Sequence, residues 1–160
     1  MIRTGFGYDV HPLTEGTPLI LGGVHVPWPK GLSSYSDGDV LLHAIMDALL
    51  GAAGLGDIGT HFPDTDPMYR GHSSLLLLSE VKFKLQQAGF EVNNIDCTVV
   101  AQNPKIMPYV SEMREIISRT LGITPDLINV KATTTEHMGF TGREEGIACY
   151  AICTLVSNTR

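Results

Sequence analysis

On a β-strand, residues two apart point to the same side, so Asp9-Val10-His11 can present a carboxylate and an imidazole together. Such a pair can share a metal ion; the plainer reading is a hydrogen bond at a strand end. A second imidazole, His43, sits inside the apolar run Val40 to Leu50. A lone buried histidine is usually an ordinary core residue. Here Asp39 and Asp47 stand one helical turn away on either side, where a carboxylate could orient the ring. Asp9, His11 and His43 together would form an open Asp-His-His set. That donor set suits zinc or a similar divalent ion with a fourth position free for water or phosphate.

Three further stretches carry candidate chemistry. Asp57, Asp64 and Asp66 lie in a long polar loop and suit hydrogen bonding to sugar-like hydroxyls, or help for a hard cation. DTDP is also a good turn sequence. Lys131 to Glu136 ends in three threonines and a glutamate, which offer hydroxyls and backbone N–H groups to an anion. Glu136 could hold a second metal on a diphosphate, and Gly139, Gly142 and Arg143 follow, arginine being well suited to phosphate. Threonine also favours strands for its own sake. Ala101 to Met107, AQNPKIM, reads as a kinked loop whose backbone could recognise a base edge.

The elements that must position these groups are legible in outline. Met1 to Val10 reads as a strand, and LILGGVHV as a hairpin turning at Gly22-Gly23. Trp28 to Ser34 reads as a loop. Ser36 and Asp37 are candidate N-caps of the His43 helix, and Gly51, Gly54 and Gly56 end it. Helical spacing predicts further helices over Ser74 to Ala88 and Tyr109 to Leu121, the latter closed by Gly122. Asn94 to Ala101 and Leu127 to Thr134 read as strands. Ile147 to Val156 is nearly all apolar and reads as a central strand covered on both faces. The expected fold is one α+β domain over residues 1–160, a mixed sheet with three main helices on one face.

Bulk properties narrow the function. A net charge of −6 without a basic run argues against a nucleic-acid surface. No apolar stretch is long enough to span a membrane, and no signal or transit peptide is visible. Cys97, Cys149 and Cys153 all sit in apolar runs without a CxxC, which favours buried reduced thiols and a reducing compartment.

The stretches GFGYDVHPL, YSDGDVLLHAIMDALLGAAGLGDIGTHFPDTDP, AQNPKIMPY and KATTTEHMGFTGREEGIACYA occur in that order over nearly the whole chain. In this the chain closely resembles the 2-C-methyl-D-erythritol 2,4-cyclodiphosphate synthases of the non-mevalonate isoprenoid pathway. The resemblance implies zinc on Asp9, His11 and His43, and magnesium or manganese on Glu136. It implies closure of 4-diphosphocytidyl-2-C-methyl-D-erythritol 2-phosphate to a cyclic diphosphate with release of CMP. It places Ser36 at a phosphate and Asp57, Ile58 and Gly59 at the methylerythritol. Phe62, Pro63, Asp64, Thr65 and Asp66 resemble the flap above it. Ala101, Gln102, Asn103, Pro104, Lys105, Ile106 and Met107 resemble the cytosine pocket. Ala132, Thr133, Thr134 and Thr135 would face the cytidine phosphates, with Thr134 stabilising the transition state. It further implies a homotrimer with active sites between subunits. Phe140 and Arg143 would lie near an apolar threefold channel able to take an isoprenoid diphosphate. A cytoplasmic location, or the plastid stroma for a processed chain, goes with this pathway. One position departs from the pattern: the usual histidine before SDGD, which the resemblance implies binds substrate and helps stabilise the transition state, is Tyr35. It is expected in that catalytic role, with a phenol that can donate a hydrogen bond but is not cationic. A zinc-dependent hydrolase with Glu136 as base, and a non-catalytic isoprenoid or nucleotide sensor, are the rival readings.

Overall fold

Residues 1–158 are described by a computed structural model. Five strands form one sheet in the order β4-β1-β7-β5-β6: β1 (Ile2–Glu15), β4 (Lys30–Leu32), β5 (Phe90–Val100), β6 (Ile128–Thr133) and β7 (Gly146–Ser157). β5 and β6 are parallel and every other neighbouring pair is antiparallel, so the sheet is mixed as expected. A separate hairpin, β2 (Leu19–Leu21) and β3 (Val24–Val26), turns at Gly22-Gly23. Both glycines have positive φ, +59° and +76°, the backbone that a two-residue hairpin turn requires.

Three long helices, α1 (Val40–Ala53), α3 (Ser74–Gln87) and α4 (Val110–Leu121), cover one face of the sheet. Short helical turns α2 (Ile58–His61) and α5 (Gly139–Gly142) interrupt the two long loops. α4 carries the chain back so that β6 can lie parallel to β5. α1 is buried on nearly every side, and only Asp47, Gly51 and Ala53 of its residues escape full burial.

The start of α1 differs from expectation. Its N-cap is Asp39, not Ser36 or Asp37. Asp39 Oδ1 accepts from Leu42 N in the first turn at 3.0 Å and from Gly22 N at 2.9 Å, and Oδ2 accepts from Gly23 N at 2.8 Å. One carboxylate thus serves the helix and the hairpin turn together. The helix ends at Gly54, one of the glycines expected to close it, whereas Gly51 lies inside the helix. Gly54 adopts the left-handed cap, and its N–H returns to Gly51 O and Leu50 O. Arg3 Nε donates to Ala52 O at the same end.

β1 packs closely against α1. Its core-facing residues alternate as Gly5, Gly7, Asp9 and His11. A methyl on Gly7 would lie 1.9 Å from Ala44 O, and one on Gly5 1.9 Å from Ala48 O. The two glycines therefore let the backbone of α1, at Ala44, Ala48 and Ala52, rest directly on the strand.

Two expectations fail for a physical reason. Lys30–Leu32 pairs with Leu13–Glu15 as an edge strand, where a proline-flanked loop was expected. β7 is central, but only one of its faces is covered. Ile147, Cys149, Ala151, Cys153 and Leu155 are buried, whereas Tyr150 and Ile152 are 43% and 50% exposed. Beside them on β1, Phe6, Tyr8 and Val10 are exposed too, so the chain carries a contiguous apolar patch on the outside of the sheet.

Gly7→Ala should destabilise the protein by about 1–3 kcal/mol, because α1 must lift to admit the methyl. Gly51→Ala, at a helical position with open space around it, should stabilise it by about 0.5–1 kcal/mol. Urea midpoints of the two variants check the contrast; equal midpoints would contradict it.

Candidate active site

Because α1 lies flush on β1, His43 reaches the end of the strand face that carries Asp9 and His11. His11 Nε2 and His43 Nδ1 are 3.0 Å apart, and each is 3.0 Å from Asp9 Oδ2. The two imidazoles meet edge to face at 87°. A proton can sit between only two of these three atoms. Tetrahedral ligands with bonds of about 2.0–2.1 Å stand about 3.3 Å apart, so the triangle has the size for one divalent cation held on three corners. Asp9, His11 and His43 are the only three-residue group with metal-ligand geometry among the described residues. Burial opposes the charge on Asp9, but a hydrogen bond from His11 and the His43 imidazole facing it outweigh burial and hold the carboxyl well below the usual carboxylate range. Asp9 Oδ1 also accepts from Val10 N at 2.9 Å.

The triangle forms one wall of a cavity of about 600 Å³. Ser34, Tyr35 and Ser36 line one side of it, and Ile58, Gly59, Phe62, Pro63, Asp64 and Thr65 line the other. Met46, Tyr69 and Leu77 close the apolar part. Asp57 caps α2, accepting from Thr60 N and Thr60 Oγ1 at 2.8 Å. Asp47 ties α2 to α1, its Oδ1 accepting from Ile58 N at 2.8 Å. Asp66 caps the turn Pro67–Tyr69, and its carbonyl accepts from the Tyr35 hydroxyl at 3.0 Å. Gly71 N in turn donates to Tyr35 O at 2.9 Å. Tyr35 thus pins the segment that follows Phe62.

A second cavity of about 490 Å³ lies elsewhere on the chain. Ala101, Gln102, Pro104, Lys105, Ile106 and Met107 line it together with Ala132, Thr133 and Thr134. It shares no lining residue with the first. Two side chains of its loop face inward to the neighbouring loop: Gln102 Oε1 accepts from His137 N at 3.0 Å, and Asn103 Nδ2 donates to Glu144 Oε1. Thr135 Oγ1 bonds the Thr141 hydroxyl at 2.8 Å. Glu136 is exposed, has φ +55°, and donates its N–H to Thr134 Oγ1 at 3.2 Å.

A model of the YgbB family matches residues 2–156. The chain belongs to the YgbB family. It is 59% identical to the 2-C-methyl-D-erythritol 2,4-cyclodiphosphate synthase of Desulforamulus reducens over 96% of this chain and 98% of that one. It is 57% identical to the synthase of the same name from Syntrophobacter fumaroxidans over 99% and 100%. Among solved structures it is similar to the bifunctional IspDF of Campylobacter jejuni, with a TM-score of 0.95 and 47% identity. That match covers all of this chain and 44% of that one. It is similar also to a CDP complex of IspF from Plasmodium falciparum, with a TM-score of 0.87, 35% identity, and 99% and 97% coverage.

In this member of the family, Asp39 and Asp47 do not hold His43, contrary to expectation: both carboxylates are taken by backbone N–H groups. His43 Nε2 instead faces Ser36 Oγ and Ser74 Oγ, each at 3.0 Å. Ser74 was not singled out in the sequence; its only signal is its place at the head of a helix. Arg143 is paired with Glu145 at 2.8 Å, and Phe140 is exposed beside it in sequence. Among the described residues no helix is long and apolar enough to cross a membrane, and the three cysteines are buried and free.

Burial pushes Asp39 up to about 6, against the N–H donors of Gly23, Leu42 and Gly22, and Asp37 nearby adds to the rise. A folded value above the unfolded 3.8 means that folding takes up a proton between the two. The associated stability is fully present below the unfolded value and is lost as pH rises through about 6. Roughly 2–3 kcal/mol should be lost over that window. Urea denaturation of wild type and Asp39→Asn from pH 4 to 7 checks this. The variant, weaker overall because its amide faces an N–H, should lack that part of the slope; parallel slopes would contradict it.

Proposed function

We propose that the chain converts 4-diphosphocytidyl-2-C-methyl-D-erythritol 2-phosphate to 2-C-methyl-D-erythritol 2,4-cyclodiphosphate and CMP. The observation that carries this reading is the closed triangle of Asp9, His11 and His43 on the wall of a deep cavity, in a chain of this family. In the reaction an oxygen of the 2-phosphate attacks the β-phosphorus. The bond from that phosphorus to the bridging oxygen breaks, and CMP departs with the electron pair. No water is consumed and no protein nucleophile is needed; what the protein must supply is alignment and charge neutralisation.

Asp9, His11 and His43 would hold zinc, which when bound orients and polarises a phosphate group. Glu136 would hold magnesium or manganese on the cytidine diphosphate. Ser36 directs its hydroxyl at the phosphate, close to the N-terminus of α1. Asp57, Ile58 and Gly59 hold the methylerythritol. The segment Phe62 to Asp66 covers it and excludes water. Tyr35, through Asp66, holds that segment in place. Ala101 to Met107 receive the cytosine, and Ala132 to Thr135 its phosphates, with Thr134 placed to stabilise the transition state.

The two cavities share no residue within one chain, which supports a site assembled between neighbouring copies. The exposed apolar patch of Phe6, Tyr8, Val10, Tyr150 and Ile152 supplies a surface for that association, as a homotrimer about a threefold axis. Phe140 and Arg143 would then line a channel able to take an isoprenoid diphosphate.

Incubation with the diphosphocytidyl substrate, zinc and magnesium should release CMP and a cyclic diphosphate in equal amounts. His43→Ala should lower turnover more than about 100-fold, beyond what loss of a supporting contact costs. Release of inorganic phosphate instead of CMP would mark a hydrolase and overturn the proposal.

A further inference from the structure

His43 has two ring nitrogens, and what surrounds Nε2 decides what Nδ1 can do. Nε2 lies 3.0 Å from Ser74 Oγ. The Ser74 hydroxyl donates its own proton to Asp37 Oδ1, and Ser74 N donates to Asp37 Oδ2 at 2.9 Å. Ser74 is completely buried, so no water competes for its hydroxyl. A hydroxyl has one proton and an ionised carboxylate has none. With that proton given to Asp37, Ser74 has only lone pairs to offer His43. Ser74 is therefore set to accept the ring proton at Nε2, the tautomer that leaves the Nδ1 lone pair toward Asp9 and His11.

We infer that Asp37 and Ser74 are positioning residues for the cation site, locking His43 in the tautomer that can bind a metal ion. The inference rests on the reading of Asp9, His11 and His43 as that site. Asp37 orients Ser74 through two hydrogen bonds, and Ser74 orients the imidazole through one. A carboxylate at the end of such a chain also makes the ring a stronger donor to the metal.

The pair divides labour with Ser36. Ser36 Oγ also lies 3.0 Å from Nε2, but it borders the cavity, and Asp37 does not hold its proton. Ser74 keeps the ring in place while the Ser36 hydroxyl stays available to an oxyanion. Ser74 is also the first residue of α3, where the chain returns from the segment over the cavity. Asp37 accepts the otherwise unpaired N–H at that helix start. The ligand ring and the base of the covering segment are thus fastened at one point.

The test uses the full-length protein stripped of metal, with Zn²⁺ added against a chromophoric chelator. Ser74→Ala should weaken zinc binding about 10- to 100-fold, and Asp37→Asn should weaken it in the same direction. Two-bond ¹H–¹⁵N spectra of the metal-free protein should show His43 as the Nε2–H tautomer in wild type and as a mixture in Ser74→Ala. A purely structural loss would not produce that mixture. If Ser74→Ala fails to fold, Asp37→Asn carries both readouts. Wild-type protein that binds no zinc would overturn the cation site itself. Wild-type and variant proteins that bind zinc equally, with one tautomer in each, would overturn this inference and leave the cation site standing.

Discussion

The approach of two backbones, α1 onto β1, governs the rest of the molecule. Gly5 and Gly7 leave room for the carbonyls of Ala48 and Ala44 where any side chain would collide. The repeats also match. Two residues of strand advance about 6.7 Å and four residues of helix about 6 Å. A glycine on alternate strand positions therefore meets a small residue at every fourth helix position. One more step along both elements brings Asp9 beside the first turn of α1, where His43 stands. A larger residue at Gly7 would push the helix away and pull the imidazole from its partners.

That placement gathers charge at one helix end. Asp37, Asp39 and His43 all belong to the start of α1, whose unpaired N–H groups favour negative charge. The two carboxylates act separately. Asp39 joins the helix to the hairpin turn, and Asp37 holds Ser74. Among the described residues no buried side-chain polar atom lacks a partner. Opposite environments result for two nearby acids. Asp39, buried among amide donors, is raised to about 6, whereas Asp9, facing two imidazoles, is held low. An acid kept charged beside two histidines is the donor set a divalent cation needs.

Much of this was legible in the residues. Strand alternation put Asp9 and His11 on one side, and the positive-φ glycines announced the hairpin and the ends of α1 and α4. What alternation could not supply was partnership across the chain. Ser74 lies 31 residues from His43, and no local pattern links them. SDGD offers three good capping residues in one run, and the hairpin turn, not intrinsic preference, selects Asp39 among them. The apolar run of β7 looked like a strand covered twice, because composition does not say what covers it. Tyr35 read as a replacement for a catalytic histidine, yet its hydroxyl is spent on the carbonyl of Asp66.

Diffraction data collected on either side of the zinc absorption edge, from crystals of the zinc-loaded protein, test the convergence most directly. An anomalous peak should lie about 2.0–2.2 Å from Asp9 Oδ2, His11 Nε2 and His43 Nδ1 together. A peak beside other side chains, or none at this triangle in fully loaded crystals, would contradict it.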